Sequence, residues 1–248
     1  MVPDITGYRS KMAVIVPSTN TVVEHDMSML RPHGITFHVG RMYIERPDLT
    51  SDEDFTRLLA QIRASIDVAL RDVMTAKPDY LVMGMSAETF WGGVEGSRAF
   101  EQRVEAATGL KMSTGATSTR VALEHMGVRR IAVISPYQPI ADENVTRFYE
   151  ESGFDVVKFH GLRCPSATAI AEVTEDRLRQ IILDLNDEDI DAIVQVGTNM
   201  SMVRLADEAE RWLKKPVLAI NAVVLWHALR ANGFNDRIDG AGSLLRDA

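Results

Sequence analysis

Apolar residues occur along the chain in two alternating kinds of segment. Short runs rich in Val, Ile, Leu and Met are separated by longer segments in which apolar residues recur at helical spacing. This alternation predicts strand–helix units around a mostly parallel sheet. We expect strands near 12–17, 36–43, 79–84, 110–113, 130–135, 155–160, 190–196 and 216–219. We expect helices near 19–30, 52–76, 94–107, 116–127, 140–152, 175–186, 202–213 and 221–232.

One strand pattern occurs twice in the sequence. The run Lys11–Pro17 recurs as Arg130–Pro136, and the run Leu81–Ser86 recurs as Val194–Asn199. Such a duplication builds two similar halves, and two facing halves enclose a cleft. The fold class that we predict is therefore α/β with two pseudo-symmetric halves, each a mostly parallel sheet flanked by helices, with the active-site cleft between them.

The repeat also predicts how the chain divides. The first half covers residues 1–114 and the second half covers residues 115–218. The predicted helix 221–232 follows a strand of the second copy, just as the helix 116–127 follows the corresponding strand of the first. Each copy can therefore donate a helix to the other half, and we expect the segment 219–248 to pack on the first half.

Composition narrows the classes of partner. With 46% hydrophobic and 25% charged residues, the 248-residue chain is typical of a globular protein. The net charge of −8 without clusters of Lys and Arg argues against nucleic acid. No apolar run reaches the roughly 20 residues of a membrane span and no signal peptide is evident, so we expect a cytoplasmic protein. One cysteine, Cys164, excludes an internal disulfide, and no spacing of Cys and His predicts a metal site.

Polar or small residues follow four of the predicted strands. In parallel α/β sheets, ligands gather at the carboxyl ends of the strands, where free main-chain N–H groups attract anions. The four segments are Pro17–Asn20, Gly84–Ser86, Ser135–Tyr137 and Gly197–Asn199. For the first of them, helix capping by Ser18, Thr19 or Asn20 is the simpler interpretation, although a cap and a carboxylate site can coexist.

These segments resemble the aspartate/glutamate racemase superfamily, and within it the branch of maleate cis-trans isomerases and arylmalonate decarboxylases. The resemblance runs in order through nearly the whole chain. Its motifs are Val16–Glu24, Met83–Ser86, Arg129–Tyr137, and Gly197 with Lys215–Val217. The resemblance implies an enzyme without a cofactor that binds a small carboxylate between its halves. It also makes a homodimer a candidate assembly.

The resemblance assigns roles to several residues. Asn20 corresponds to a substrate-binding asparagine, and Tyr137 corresponds to a tyrosine shared by isomerases and decarboxylases. Ser86 corresponds to a hydroxyl that, with main-chain N–H groups, holds a carboxylate or the enediolate formed from it. Ser166 lies near the position of a second asparagine. The other expected substrate-binding residues are Pro17, Ser18, Gly84, Met85, Gly197, Thr198 and Asn199.

The sequence departs from the superfamily at two positions. The catalytic cysteines of these enzymes align with Gly84 and Gly197. Decarboxylase-like members also carry glycine at the first position, but they keep a cysteine at the second to protonate the enolate. Racemisation, isomerisation or protonation by a thiol at these positions is therefore in doubt.

Two other residues are candidates for handling the proton. Cys164 lies in a loop after a strand of the second half, and Glu88 lies shortly beyond a strand of the first half. A single buried cysteine is more often an inert part of the core. The carboxylate of Glu88 can equally be a solvated loop group.

Three functions follow from these observations. The first is an isomerase or decarboxylase that acts on a small carboxylic acid through an oxyanion-stabilised, enolate-like intermediate. The second is a non-catalytic protein that binds small carboxylates and has lost the thiols. The third is an epimerase or isomerase in the breakdown of an ectoine-type compatible solute, which the segments Arg163–Thr168 and Val196–Ser201 suggest.

Overall fold

A computed structural model describes residues 4–248, so residues 1–3 of the predicted first half lie outside it. The chain forms two four-stranded sheets in which every strand pair is parallel. The first sheet has the order β2-β1-β3-β4, with β1 Ser10–Pro17, β2 Ile35–Met42, β3 Tyr80–Met83 and β4 Met112–Ser113. The second has the order β6-β5-β7-β8, with β5 Arg130–Ser135, β6 Asp155–Gly161, β7 Ala192–Gln195 and β8 Val217–Ala219. The predicted α/β fold with two pseudo-symmetric halves is confirmed.

Helices flank both sheets. They are α1 Val23–Met29, α2 Asp52–Met74, α3 Ala87–Phe90, α4 Gly93–Thr108, α5 Gly115–His125, α6 Pro139–Glu151, α7 Glu175–Leu185, α8 Val203–Leu213, α9 Ile220–Ala231 and α10 Ser243–Asp247. A 3₁₀ turn covers Ala169–Glu172. The pattern of apolar residues missed this turn, α3 and α10, all of five residues or fewer. Across residues 4–248, none of the helices is long and apolar enough to cross a bilayer.

The central strands explain why the site forms where it does. Strands β1 and β5 each lie between two neighbours and are apolar along most of their length, which is typical of strands covered on both faces. Strand β1 pairs with β3 so that Ile15 lies opposite Met83, and β5 pairs with β7 so that Ile134 lies opposite Gln195. In each half, two central strands therefore end at the same edge of the sheet, and their polar loops start there.

Helix α9 crosses between the halves. It begins directly after β8 of the second sheet, yet it contacts β3 and β4 of the first sheet. Its residues from Ile220 to Trp226 are all buried, as expected for a helix that is apolar on every side. The division of the chain at residues 114 and 218 stays a prediction.

Phe90 in α3 joins the two halves through aromatic packing. Its ring is fully buried and lies edge-on to Phe148 of α6, with 5.2 Å between the ring centroids. We expect Phe90→Ala to lower the free energy of unfolding by about 3–5 kcal/mol, because a large cavity forms at this junction. Urea unfolding measures the change, and Tyr43→Ala, at a side chain that is 68% exposed, is the control with little effect. An equal effect of the two variants would contradict the importance of this contact.

Candidate active site

A pocket lies where the strand ends of the two sheets meet. It encloses about 410 Å³ of space, counted out to its mouth. Loops after β1, β3, β5 and β7 form one side of it, and helix α2 and the segment after β6 form the other. The lining residues are Pro17, Thr19, Asn20, Leu58, Ile62, Met85, Ser86, Ala87, Tyr137, Ala167, Ile170, Gly197, Thr198 and Asn199.

Asn20 has both a local and a long-range contact. Its Oδ1 accepts hydrogen bonds from the main-chain N–H groups of Val22, at 3.0 Å, and Val23, at 2.9 Å. These bonds satisfy donors at the start of α1, which explains why that helix begins at residue 23 and not near residue 19. Its Nδ2 donates to Thr198 Oγ1 of the other half at 3.3 Å. The amide therefore stabilises the helix start and faces the pocket at once.

Ser86 and Tyr137 bring the two halves into direct contact. Their hydroxyl oxygens are 2.5 Å apart, and Ser86 Oγ also accepts the main-chain N–H of Gly197 at 3.1 Å. Ser86 is 1% exposed and Tyr137 is 5% exposed. Short hydrogen bonds between buried groups are strong, so this junction fixes both hydroxyl groups.

The environment of Tyr137 keeps its hydroxyl neutral. Burial raises the pKa of Tyr137 above its usual range, and the hydrogen bond to Ser86 only partly offsets this. The ring of Phe55 packs edge-on against that of Tyr137, with 5.3 Å between the centroids. At neutral pH the phenol therefore keeps its proton and can donate it in a hydrogen bond.

Thr198 and Asn199 connect the loop after β7 to the first half. Thr198 Oγ1 donates to the carbonyl oxygen of Gly84 at 2.9 Å. Asn199 Oδ1 accepts the main-chain N–H of Thr21 at 2.9 Å, and its Nδ2 donates to the carbonyl of Ala167 at 2.8 Å. The side chain of Asn199 thus holds three loops together around the pocket.

Main-chain N–H groups at the strand ends are available to a ligand. Those of Thr19, Met85, Ser86 and Thr198, all in lining residues, donate to no atom of residues 4–248. Buried main-chain N–H groups are nearly always paired in proteins. Unpaired N–H groups beside a pocket are suited to binding the oxygens of a carboxylate.

Apolar side chains form the opposite wall. Leu58 and Ile62 of α2, with Ala167 and Ile170 of the segment after β6, line this side of the pocket. The sequence pattern does not distinguish Leu58 and Ile62, because they belong to the same apolar stripe of α2 that packs on the sheet. Among the described lining residues, Tyr137 is the one titratable side chain, and none carries a charge.

Comparison with known proteins identifies the family. A family model described as arylmalonate decarboxylase matches residues 12–245 of the chain. The chain belongs to the arylmalonate decarboxylase family. The predicted resemblance is confirmed.

Relatives in this family include isomerases as well as a decarboxylase. The chain is 27% identical to the maleate isomerase of Pseudomonas putida, over 96% of this chain and 98% of that protein. It is 26% identical to the arylmalonate decarboxylase of Bordetella bronchiseptica, over 70% of this chain and 73% of that one. A similar solved structure is the maleate isomerase Iso of Pseudomonas putida S16, with a TM-score of 0.87, 24% identity and coverage of 96% and 98%. A second similar structure is a variant of the Nocardia farcinica maleate cis-trans isomerase with a covalently bound succinylcysteine intermediate. Its TM-score is 0.86, its identity to this chain is 22%, and the coverage is again 96% and 98%.

The two candidate proton donors of this family member lie outside the pocket lining. Cys164 is buried, and its main-chain N–H donates to the carbonyl of Pro136 at 3.0 Å. Burial raises the pKa of its thiol to about 11. Glu88 is 8% exposed and forms an ion pair with Arg63 of α2, with 2.8 Å between Oε1 and Nε. Neither side chain lines the pocket.

Three further predicted binding residues lie beside the pocket without lining it. Ser18 Oγ accepts the main-chain N–H of Ile44 at 3.0 Å. Ser166 Oγ accepts the main-chain N–H of Ala169 at 3.0 Å and lies 3.0 Å from Thr168 Oγ1. Gly84 contributes its carbonyl oxygen as the acceptor for Thr198. The other expected binding residues line the pocket.

The two glycines that the resemblance aligns with cysteines have no room for a side chain. A Cβ atom on Gly84 would lie 2.5 Å from Cγ1 of Val16 and 3.2 Å from the carbonyl oxygen of Ile15. A Cβ atom on Gly197 would lie 2.5 Å from Cγ of Pro136, and Gly197 has a φ of +96°. Both positions therefore require glycine for packing, and Gly197 also requires it for its backbone conformation.

We expect Gly197→Ala to lower the free energy of unfolding by about 2–4 kcal/mol, because it combines a clash with a strained backbone. Gly127→Ala is the matched control, since Gly127 has a φ of +66° but no atom within 4 Å of the added Cβ. That control should cost only about 1 kcal/mol, the contribution of the backbone alone. Urea unfolding of both variants measures the difference. Equal losses would show that Pro136 moves aside freely.

Proposed function

We propose that the protein is an enzyme without a cofactor that removes or transfers a group next to the carboxylate of a small carboxylic acid, through an enolate-like intermediate and without a thiol. The hydrogen-bonded pair of Ser86 and Tyr137 carries this proposal. It places two neutral hydroxyls in a buried pocket beside unpaired main-chain N–H groups. Membership of a family that includes isomerases and a decarboxylase supports the reaction class.

The composition of the pocket favours a substrate with one well-bound carboxylate and one apolar substituent. Main-chain N–H groups and the hydroxyl of Ser86 suit carboxylate oxygens. Leu58, Ile62 and Ile170 suit an alkyl or aryl group. A second carboxylate held against this apolar wall would lack hydrogen-bond donors, and burial of an unpaired charge is costly. Its loss as CO₂ relieves that cost, so a substituted malonate fits the pocket best.

The proposed reaction balances without a cofactor. The bond between the α-carbon and one carboxylate breaks, CO₂ leaves, and the electron pair passes into the enediolate of the remaining carboxylate. Main-chain N–H groups and Ser86 stabilise the developing oxyanion. The hydroxyl of Tyr137 gives its proton to the α-carbon, and solvent then restores the proton to the phenolate. An enediolate is a stronger base than a phenolate, so the raised pKa of Tyr137 is compatible with this step.

The arrangement does not favour a covalent thiol mechanism. The Nocardia farcinica isomerase variant holds a covalently bound succinylcysteine. Such an adduct requires a thiolate beside the substrate. In this chain Gly84 and Gly197 stand where the resemblance places the cysteines, and Cys164 lies outside the lining. We therefore propose decarboxylation or direct proton transfer, with epimerisation as the variant in which the proton returns on the opposite face.

A protein that only binds carboxylates is the second candidate. The lack of a charged acid or base in the pocket lining favours it. The two candidates differ in turnover, since a binder would be stabilised by a small carboxylate that it leaves unchanged.

We expect arylmalonates and alkylmalonates to lose CO₂ in D₂O and to gain one deuterium at the α-carbon, as measured by proton NMR. Tyr137→Phe should lower kcat by about 100-fold or more, because it removes the proton donor and an oxyanion contact. The control is Tyr149→Phe, at a buried tyrosine whose hydroxyl donates to Thr119 Oγ1 at 3.0 Å away from the pocket. Stabilisation of the fold by these acids without any chemical change would contradict the proposed enzyme activity. It would favour the protein that only binds carboxylates.

Cys164 should be unreactive and dispensable. With a thiol pKa of about 11, about one molecule in a thousand carries the thiolate at pH 8. We expect iodoacetamide to label the native protein far more slowly than the urea-unfolded protein, at a rate that rises with pH. Cys164→Ala should keep its kcat within about twofold of the parent. Loss of activity in this variant, with the fold intact, would show that the thiol supplies the proton.

A further inference from the structure

An ion pair with a buried carboxylate lies close to the main chain of Tyr137. The carboxylate of Asp142 in α6 pairs with the guanidinium of Arg163, which follows β6. Asp142 is 6% exposed, and its Oδ1 has no hydrogen-bond partner within the described chain. A buried carboxylate with an unsatisfied oxygen opposes folding, so such a pair is not explained by stability alone.

A hydrogen-bond path leads from this carboxylate to the main chain of Tyr137. Arg163 Nη1, which pairs with Asp142, donates to the carbonyl oxygen of Tyr137 at 2.7 Å. The main-chain N–H of Tyr137 donates to Ser135 Oγ at 3.1 Å. Asp142 therefore acts on the carbonyl of Tyr137 through Arg163, while Ser135 holds the N–H.

The local backbone is shaped to fit this arrangement. Arg163 has a φ of +54°, which is unfavourable for a residue with a Cβ atom. A Cβ atom on Gly161 would lie 2.5 Å from Oδ2 of Asp142, so the strand end carries glycine where the ion pair needs space. Main-chain bonds from Leu162 to Ser135, at 2.7 Å, and from Cys164 to Pro136, at 3.0 Å, fix the segment on either side. Backbone strain of this kind persists where the surrounding structure enforces it, and it is concentrated at functional sites.

We propose that Asp142 and Arg163 are positioning residues that orient Tyr137 through its main chain, so that its hydroxyl stays on Ser86 and faces the pocket. This role rests on the function proposed for Tyr137. The other titratable groups near the cluster are Asp52 at the start of α2, whose charge acts on Asp142, and His160 on β6, whose pKa is lowered by burial and further by the charge of Arg163. The negative charge of Asp142 also adds to burial in raising the pKa of Tyr137.

Kinetics on a malonate that the enzyme decarboxylates test the role. Asp142→Asn and Arg163→Met should each lower kcat by about tenfold or more and leave KM within about threefold, because a displaced catalytic group slows the chemical step more than binding. Arg163→Lys, which keeps the charge and one donor, should recover part of the loss. In a Tyr137→Phe background, Asp142→Asn should change kcat by less than about twofold, since the effect passes through the missing hydroxyl.

The matched control is Asp207→Asn. Asp207 in α8 is 4% exposed and pairs with Arg211 and Arg246, but it does not line the pocket. It should lower the melting temperature as Asp142→Asn does, without changing kcat. Arg163 has a side chain that is 42% exposed, so its variants should fold even where those of Asp142 do not.

A spectroscopic measurement tests the same role without a substrate. Protein labelled with ¹³C at the ζ-carbon of tyrosine gives five signals, one for each tyrosine, and Tyr137→Phe assigns that of Tyr137. We expect this signal to move in Asp142→Asn and Arg163→Met but not in Asp207→Asn.

The outcomes separate the two proposals. An unmoved Tyr137 signal, or an unchanged kcat in well-folded Asp142→Asn and Arg163→Met, overturns the positioning role while Tyr137→Phe stays inactive. Additive losses in the double variant also overturn it, because they would show a structural effect that does not pass through Tyr137. Full activity of Tyr137→Phe overturns the proposed function, and the tyrosine signal then still reports whether the ion pair orients the ring.

Discussion

The hydrogen bond between Ser86 and Tyr137 is the contact on which the arrangement of the site depends. Each residue lies just beyond a central strand of a different sheet, and the 2.5 Å between their oxygens joins the two strand ends. The N–H of Gly197 completes the junction by donating to Ser86 Oγ. Because these groups are buried and paired, the two halves are held in one relative position at the pocket. Asn20, Thr198 and Asn199 add further hydrogen bonds across the cleft that support the same position.

A pocket without charge favours particular chemistry. Charged side chains would bind a carboxylate tightly in both the ground state and the transition state. Neutral, preorganised donors bind it less strongly but respond more to the charge that develops on an enolate oxygen. The structure places the buried carboxylates of Glu88 and Asp142, which pair with the partly exposed Arg63 and Arg163, outside the lining. They can shape the pocket without adding a competing charge to it.

Some of this could be predicted from the sequence, and the limits have physical causes. The short apolar runs located all eight strands, most clearly the inner ones such as β1 and β5, because strands covered on both faces have almost no polar positions. The polar strand ends located Asn20, Ser86, Tyr137 and Thr198, since the ends of parallel strands meet at one edge. Side-chain direction is not encoded in this way. Cys164 follows β6 as predicted, but its thiol lies in the core, and nothing in the apolar stripe of α2 separates Leu58 from residues that pack on the sheet. The contacts of Arg163 with Asp142 and with the carbonyl of Tyr137 join three segments, and only the folded chain brings them together.

Helix α9 follows the last strand of the second sheet and packs on β3 and β4 of the first. This exchange has a consequence for the independence of the two halves. A fragment that ends after β4 would expose the apolar surface that α9 covers, and a fragment that starts at β5 would carry α9 with no sheet to cover. The duplicated pattern therefore no longer marks two separable modules. The halves form one cooperative unit, in which neither copy is complete without a segment encoded in the other.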